Sequence, residues 1–400
     1  MKTYRSKSFV YHGRPGAVTT EVLTLRPGPR DLLVRVMMCA RCGTDKTIYR
    51  SGHRSVDPYA PVVLGHELVA RIVEVGDEVS TLTGGIGYRE GRTLSAEDLA
   101  FRPGERVTFQ SRIARYRDGL MLVPRPIANL SFQINGGYAE YMVVPETLIR
   151  SGSVLRVAET ISDEEACLVE PTACALESIF ATPHPVGVDA EGRHLMRAGI
   201  LPGGSTCIIG SGSVGMIYAR LALLEGAAQV VVVVRSAEKA HLVREKLGSA
   251  VTVYEAPRTA ADASPATRAG EDAAVADLSR LTDGCLFDDV VSANASPAAQ
   301  RLMLRLYAPE GYAVGACFGG THALVDAADI DTNHYRAAKT IGTSGCSTDG
   351  MKTVLAWLSS GRLSLRGMIS SRRYTLDDDP HEFFTVEQGL KPALFMEGSD

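Results

Sequence analysis

From Gly43 to Ala166 the chain has no cysteine, and its eight cysteines, at 39, 42, 167, 174, 207, 285, 317 and 346, are scattered along its length. That scatter excludes the disulfide framework of a small secreted domain. No apolar run approaches the roughly 18–20 residues of a membrane span. Met1–Gly16 lacks an apolar core followed by a cleavage site, so it does not read as a signal peptide, and the cytoplasm is the expected location. Neither charge sign dominates: the formal net charge is −4, which gives no reason to expect nucleic acid or an anionic membrane as a partner. There is no internal repeat.

What is present is a soluble globular composition, 45% hydrophobic and 22% charged. At 400 residues the chain is too long for one ordinary core, so two domains are expected. Residues 1–163 read as β-rich. Val18–Leu25 and Asp31–Met38 are short apolar runs separated by the turn cluster Arg26-Pro27-Gly28-Pro29. Val62–Val75 is a longer strand-like stretch, and Gly136–Pro145 a strand entered through glycines. Short strands with Gly/Pro turns suggest a barrel-like antiparallel domain.

Residues 164–343 change pattern. Ser162 is a plausible cap for a helix over Asp163–Ala181. Thr206–Ile209, Val230–Val234, Val251–Tyr254, Phe287–Val291, Tyr312–Ala316 and Thr340–Thr343 read as strands. They alternate with helices at Val214–Glu225, Ala237–Leu247 and Pro297–Leu306. The expected fold is therefore α/β with a doubly wound parallel sheet. Thr83–Pro103 and Pro183–Gly199 read as insertions, and Pro257–Gly270 as a surface loop. The tail, 344–400, reads as a helix near Gly350–Ser359 followed by a strand-poor polar stretch that returns to the first domain.

Gly210-x-Gly212-x-x-Gly215, with Ser213 and Val214 between, follows a strand and opens a helix, the setting a dinucleotide motif needs. Gly210 permits the turn, Gly212 lets pyrophosphate approach the backbone, and Gly215 allows close helix–strand packing. The helix N-terminus then offers amides to the phosphates. An NAD site wants an acid about 20 residues on, for the ribose hydroxyl. Val234 stands there, followed by Arg235 and Ser236. Arg235 can pair with a 2′-phosphate, so NADP is favoured over NAD.

Three further fragments carry chemistry: Cys42-Gly43-Thr44-Asp45, Gly65-His66-Glu67 and Glu170-Pro171. They supply a thiolate, an imidazole and carboxylates, the donor types of a catalytic zinc site. Cys39-x-x-Cys42 also has redox spacing, but no βαβ unit begins there, so Cys39 reads as a core residue beside a ligand.

With Gly104-Glu105-Arg106-Val107, Gly136–Tyr141 and the glycine block, these fragments make the chain similar to the zinc-dependent medium-chain alcohol dehydrogenases, in their polyol and sorbitol dehydrogenase-like branch. The resemblance implies a GroES-like catalytic domain before and after a Rossmann domain. It implies Cys42, His66, Glu67 and Glu170 as zinc ligands, with Glu67 binding directly or exchanging with water. Glu170 stands where other alcohol dehydrogenases have a second cysteine. Thr44 passes a proton from the substrate oxygen, and Thr47 replaces a histidine that often extends that relay. The gap in cysteines implies one catalytic zinc and no structural zinc; in place of the four-cysteine lobe runs Gln110–Asn135, with Arg112, Arg115, Arg117 and Arg125. Those arginines could face an anionic substrate or a neighbouring subunit, though a solvated loop is the simpler reading. The implied activity interconverts a secondary alcohol and a ketone on a polyol, a sugar with or without phosphate, or a cyclitol, in a homodimer or homotetramer. The alternatives are a zinc-free quinone or enone reductase of the same fold and a non-catalytic NADP-binding sensor.

Overall fold

The computed structural model describes residues 2–82, 94–113, 116–117, 120–121, 128–257, 265–309, 314–317, 334–387 and 389–396. The chain forms two units, Met1–Pro171 with Gly345–Asp400, and Thr172–Ser344. The first division falls inside the helix Val169–Phe180.

In the first unit, Tyr4–Tyr11 pairs antiparallel with Val18–Leu25 along its whole length and with Val62–Val63 on its other edge. A larger sheet runs in the order Val154–Arg156, Arg106–Phe109, Glu67–Val75, Leu32–Ala40, Lys391–Phe395, Ile369–Tyr374. Tyr141–Val144 also pairs with Leu32–Ala40. The apolar run at the centre of this sheet, Leu32–Ala40, is buried at every position but Arg35. The stretch Val62–Val75 is two strands rather than one, because the chain bends at Gly65, where φ is +92°. A Cβ at Gly65 would sit 2.7 Å from the Tyr138 ring and 2.8 Å from Cys39 Sγ, so only glycine fits beside them.

The tail departs from its expected lack of strands. After the helix Thr348–Ser359 come Ile369–Tyr374, the helix Pro380–Thr385 and Lys391–Phe395. The middle of Ile369–Tyr374 is exposed and polar, which hides the strand from a hydrophobicity reading. The tail still contributes Tyr374, Phe383, Phe384 and Leu394 to the first unit's core, all fully buried. The helix expected over Asp163–Ala181 is likewise two, Asp163–Ala166 and Val169–Phe180, and Ser162 caps the first by accepting from Glu165 N.

The second unit is a six-stranded sheet in the order Thr252–Glu255, Gln229–Val234, Ser205–Ile209, Asp289–Ser292, Val314–Cys317, Lys339–Gly342, with every neighbouring pair parallel. This is the doubly wound order, with the chain reversing direction across the sheet at Ser205–Ile209. Helices Ser213–Leu224, Ala237–Leu247, Pro265–Leu281 and Pro297–Arg305 supply the crossovers. The Pro257–Gly270 stretch is not loop to its end: Pro265 opens a helix rich in alanine, the strongest helix former. Pro183–Gly199 is a hairpin of Pro183–Val188 and His194–Ala198. Buried His184 ties it to the sheet, Nε2 lying 2.9 Å from Asp289 Oδ1. Of the four arginines in Gln110–Asn135, Arg115 and Arg125 lie outside the described residues, as do 83–93 of the first insertion.

The returning tail is fastened by Glu165. Its carboxylate accepts from Leu365 N at 3.0 Å, Ser364 Oγ at 3.1 Å and Ser162 Oγ at 2.9 Å. Burial alone would raise its pKa; these donors and Arg366 outweigh it and hold the group below the ordinary carboxyl range. A depressed folded pKa stabilises above the unfolded value, and that stability is lost as pH falls through the folded one. Glu165→Ala is therefore expected to cost about 1–3 kcal/mol at pH 7. In urea melts the difference from wild type should shrink as pH falls below the ordinary carboxyl value of 4.5.

Candidate functional site

Strand register in the first unit brings the site together. Ala40 pairs with Glu67 on one side and with Ala393 on the other, both antiparallel. Residues just beyond Ala40, just before Glu67 and just before Ala393 therefore meet at one end of the sheet. Those residues are Cys42, His66 and Lys391. Arg41 N donating to Pro392 O at 2.9 Å fixes this end.

Cys42 caps the helix Gly43–Ser51. Its Sγ accepts from Thr44 N at 3.4 Å, and its own amide donates to Asp45 Oδ2 at 3.2 Å. His66 is buried, with Nδ1 3.1 Å from Ser131 Oγ and 3.8 Å from Asp45 Oδ1. Asp45 is fully buried; its Oδ2 accepts from Tyr138 Oη at 2.6 Å, while Oδ1 has no hydrogen bond. With Nδ1 engaged on that side, Nε2 is the ring nitrogen left to serve as a donor atom. Burial opposes a charge on His66, but Cys42, Asp45 and Glu170 together raise its pKa well above the usual value.

One donor atom each from Cys42, His66 and Glu67 lies within 4.8 Å of the others. The thiol, imidazole and carboxylate, buried except at half-exposed Cys42, match the nitrogen, sulfur and oxygen donors zinc takes. Glu67 is not idle, however: Lys391 Nζ is 2.9 Å from its Oε1 and 2.7 Å from its Oε2. Glu170 is buried, and Ser111 Oγ donates to its Oε1 at 3.0 Å. Burial and Glu67 raise its pKa, while His66, Ser111 and Lys391 pull the other way, so the charges of the cluster reach it.

Other residues noted in the sequence are occupied elsewhere. Cys39 is fully buried, its thiol raised by burial first and then by Asp45, which suits a core residue rather than a redox partner. Thr47 returns its hydroxyl to Gly43 O at 3.1 Å. Glu140 braces the first strand, accepting from Lys7 N at 2.8 Å. Sequence reasoning missed Asp45, Ser111, Ser131, Tyr138 and Lys391. Ser131 has a left-handed backbone, φ +68°, at a position with no glycine or asparagine to announce it. Lys391 carried a faint signal, a charge leading the apolar Pro392–Phe395.

In the second unit the glycine turn takes the expected form. Gly210 follows Ser205–Ile209, Gly212 caps the helix Ser213–Leu224, and a Cβ at Gly215 would lie 2.1 Å from Gly210 O. Nothing lies within 4 Å of a Cβ built at Gly212, so the cradle above the Ser213–Val214 amides is open to a phosphate. Val234 is buried and carries no charge. Arg235 is exposed and donates to Ser296 Oγ at 3.1 Å, and Ser236 caps Ala237–Leu247. Arg235 and Ser236 line one hollow with Glu255, an acid at the end of the next strand that the motif did not announce.

The family model for the alcohol dehydrogenase GroES-like domain matches residues 28–151. L-threonine 3-dehydrogenase of Anaeromyxobacter dehalogenans is 28% identical over 211 residues, 51% of this chain and 49% of the relative. A candidate zinc-binding dehydrogenase from Sinorhizobium meliloti, solved bound to NADP, aligns over 98% of this chain and 99% of its own, with a TM-score of 0.74 at 21% identity. Residues 28–151 thus form an alcohol dehydrogenase GroES-like domain, and the whole chain shares the fold of that dehydrogenase. The 2R,3R-butanediol dehydrogenase of Bacillus subtilis has the same fold, with a TM-score of 0.72 at 19% identity, over 98% of this chain and 99% of that one. The chain spans about half the length of the curated relatives it matches. No helix among the described residues is long and apolar enough to cross a membrane.

The geometry gives Asp45 a measurable role. A carboxylate beside the far nitrogen of a ligating histidine fixes the ring and raises its basicity. Asp45→Asn keeps the shape and is expected to weaken zinc binding by about 10–100-fold in a competition titration against a chelator. Unchanged affinity would mean that Ser131 alone orients the ring.

Proposed function

We propose that the protein is a zinc- and NAD(P)-dependent oxidoreductase that interconverts a secondary alcohol and a ketone on a polyol, a sugar with or without phosphate, or a cyclitol. The observation that carries this reading is the buried Cys42–His66–Glu67 cluster in a chain that also folds a nucleotide-binding glycine turn. A zinc-free reductase would have no use for three such donors aimed at one point, and a nucleotide sensor would need neither them nor Glu170.

Cys42, His66 and Glu67, whose donor atoms cluster, would hold the metal, and Glu170, which accepts from Ser111, would be the remaining donor. Zinc bound there lowers the pKa of an alcohol or polarises a carbonyl, and the nicotinamide takes or returns the hydride. Thr44, half-buried on the first turn after Cys42, receives the substrate hydroxyl proton and passes it outward. Ser213, Val214 and the glycines seat the pyrophosphate. Arg235 and Ser236 hold a 2′-phosphate, so NADP is favoured; Glu255 opposes that preference from the same hollow. One zinc is expected, since residues 43–166 offer no cysteine for another. The protein works as a homodimer or homotetramer; Val186, Val188, Leu195 and Met196 on the hairpin are exposed, an apolar surface of the kind an interface covers. L-threonine is also a secondary alcohol, and the names of the sequence relatives make amino alcohols the second substrate class to try.

Elemental analysis of the purified protein is expected to find about one zinc per chain, lost in Cys42→Ala and reduced in Glu170→Ala. A panel of polyols, sugar phosphates, cyclitols and L-threonine with both nicotinamides should then show turnover that follows zinc content. Arg235→Ala should raise KM for NADPH by about tenfold or more while leaving NADH nearly unaffected. Nucleotide binding without zinc would overturn the reading in favour of the zinc-free reductase or the sensor.

Metal binding should also depend on pH. His66, held above its usual pKa, must give up its proton to become a ligand. Zinc affinity is expected to fall by about tenfold per pH unit for each displaced proton as the pH drops below His66's raised value. A pH-independent dissociation constant between pH 5 and about 8 would contradict this.

A further inference from the structure

Two serines of the second unit stand at helix starts and use their hydroxyls differently. Ser236 caps Ala237–Leu247, its Oγ accepting from Lys239 N at 3.3 Å. Ser296 holds the same position on Pro297–Arg305 but makes no capping bond. A serine there normally accepts from an amide of the first turn, and a helix without that bond is less stable. The Ser296 hydroxyl instead accepts from Arg235 Nη2 at 3.1 Å, across 61 residues of chain.

The glycine turn fixes where Ser296 stands. Its amide donates to Asn294 Oδ1 at 2.9 Å, and Asn294 Nδ2 donates to the carbonyl of Ile209 at 3.1 Å, the residue before Gly210. Arg235 follows the strand Gln229–Val234 and Ser296 follows Asp289–Ser292, with Ser205–Ile209 between those two strands. The arginine therefore leans over the end of the strand that carries the glycine turn. On its other side stands Glu255, the strand partner of Val234, lining the same hollow as Arg235. A guanidinium fork matches a carboxylate, yet among the described residues no ion pair joins Arg235 to Glu255.

We infer, on the dinucleotide reading above, that Ser296 is a positioning residue for Arg235. It holds the guanidinium off Glu255 and toward the glycine turn, so that the charge stays available to a 2′-phosphate. An arginine freed from Ser296 has an anion in its own hollow to pair with, and once paired there it meets a phosphate already neutralised. The hydroxyl diverted from its helix is thereby assigned to the choice of nucleotide.

The test measures dissociation constants for NADPH and NADH from nicotinamide fluorescence, with no turnover needed. Ser296→Ala should weaken NADPH about tenfold and NADH less than about twofold. Ser296→Thr, which keeps the hydroxyl, should match wild type. Glu255→Gln supplies the second arm. In wild type it should tighten NADPH less than about threefold, because Arg235 is already held away. In the Ser296→Ala chain it should recover most of the lost affinity, since the competing anion is gone. NADPH binding unchanged by Ser296→Ala would overturn the inference, and so would equal losses for NADPH and NADH, the mark of a displaced glycine turn. Glu255→Gln acting by the same factor in both chains would overturn it too, because Ser296 would then not be what keeps Arg235 from Glu255. A wild-type protein that binds neither nucleotide, or an Arg235→Ala chain that holds NADPH as tightly as wild type, would instead overturn the reading of the nucleotide site beneath it.

Discussion

The constraint on which the first unit depends is that a group of ionisable side chains must leave water together. Cys42, Asp45, His66, Glu67 and Lys391 meet at one end of one sheet, Glu170 is carried by a helix, and all but Cys42 are buried. A single buried ion without a partner costs several kcal/mol, against a total stability of about 5–15 kcal/mol for a domain. Each group therefore has an assigned neighbour: Lys391 for Glu67, Ser111 for Glu170, Tyr138 and the Cys42 amide for Asp45, Ser131 for His66. Strand register makes these pairings possible, because Ala40 opposite both Glu67 and Ala393 delivers three distant stretches of chain to one spot. A slip of one residue in the Lys391 strand would turn the ammonium to the other face of the sheet and leave Glu67 charged and alone.

The second unit answers a different constraint. Its ligand face is made of backbone rather than charge, and the elements that matter are a turn and two strand ends. Gly215 is required because the helix Ser213–Leu224 comes down onto Gly210 O, while the space above Gly212 is open. At the ends of neighbouring strands, side chains of opposite sign, Arg235 and Glu255, line one hollow.

These two kinds of site differ in how legible they are from the sequence. The glycine turn, the run Val230–Val234 and the helix Ala237–Leu247 depend on neighbours within a few residues, and local patterning finds them with little error in position. The ligand fragments are also local, since Cys42 is a helix cap and His66 follows a bend that Gly65 makes. The residues that orient those ligands are not local. Lys391 belongs to Glu67 across a separation of 324 residues, and Ser131 to His66 across 65. No periodicity connects such positions, because their relation is created by sheet order. The tail misread as polar shows the same thing: Ile369–Tyr374 is a strand only because Lys391–Phe395 lies beside it.

The charge balance of the site explains why a carboxylate at 170 and a lysine at 391 belong together. Glu67 and Glu170 are two buried carboxylates, and each is supported by a different device. Ser111 donates to Glu170, while Glu67 is paired with a buried ammonium. Burial works against the charge on Lys391, but Glu67, Cys42 and Glu170 together hold its pKa up. A neutral side chain at 391 would therefore remove the cation that this cluster of acids depends on, and leave Glu67 to bear its burial alone.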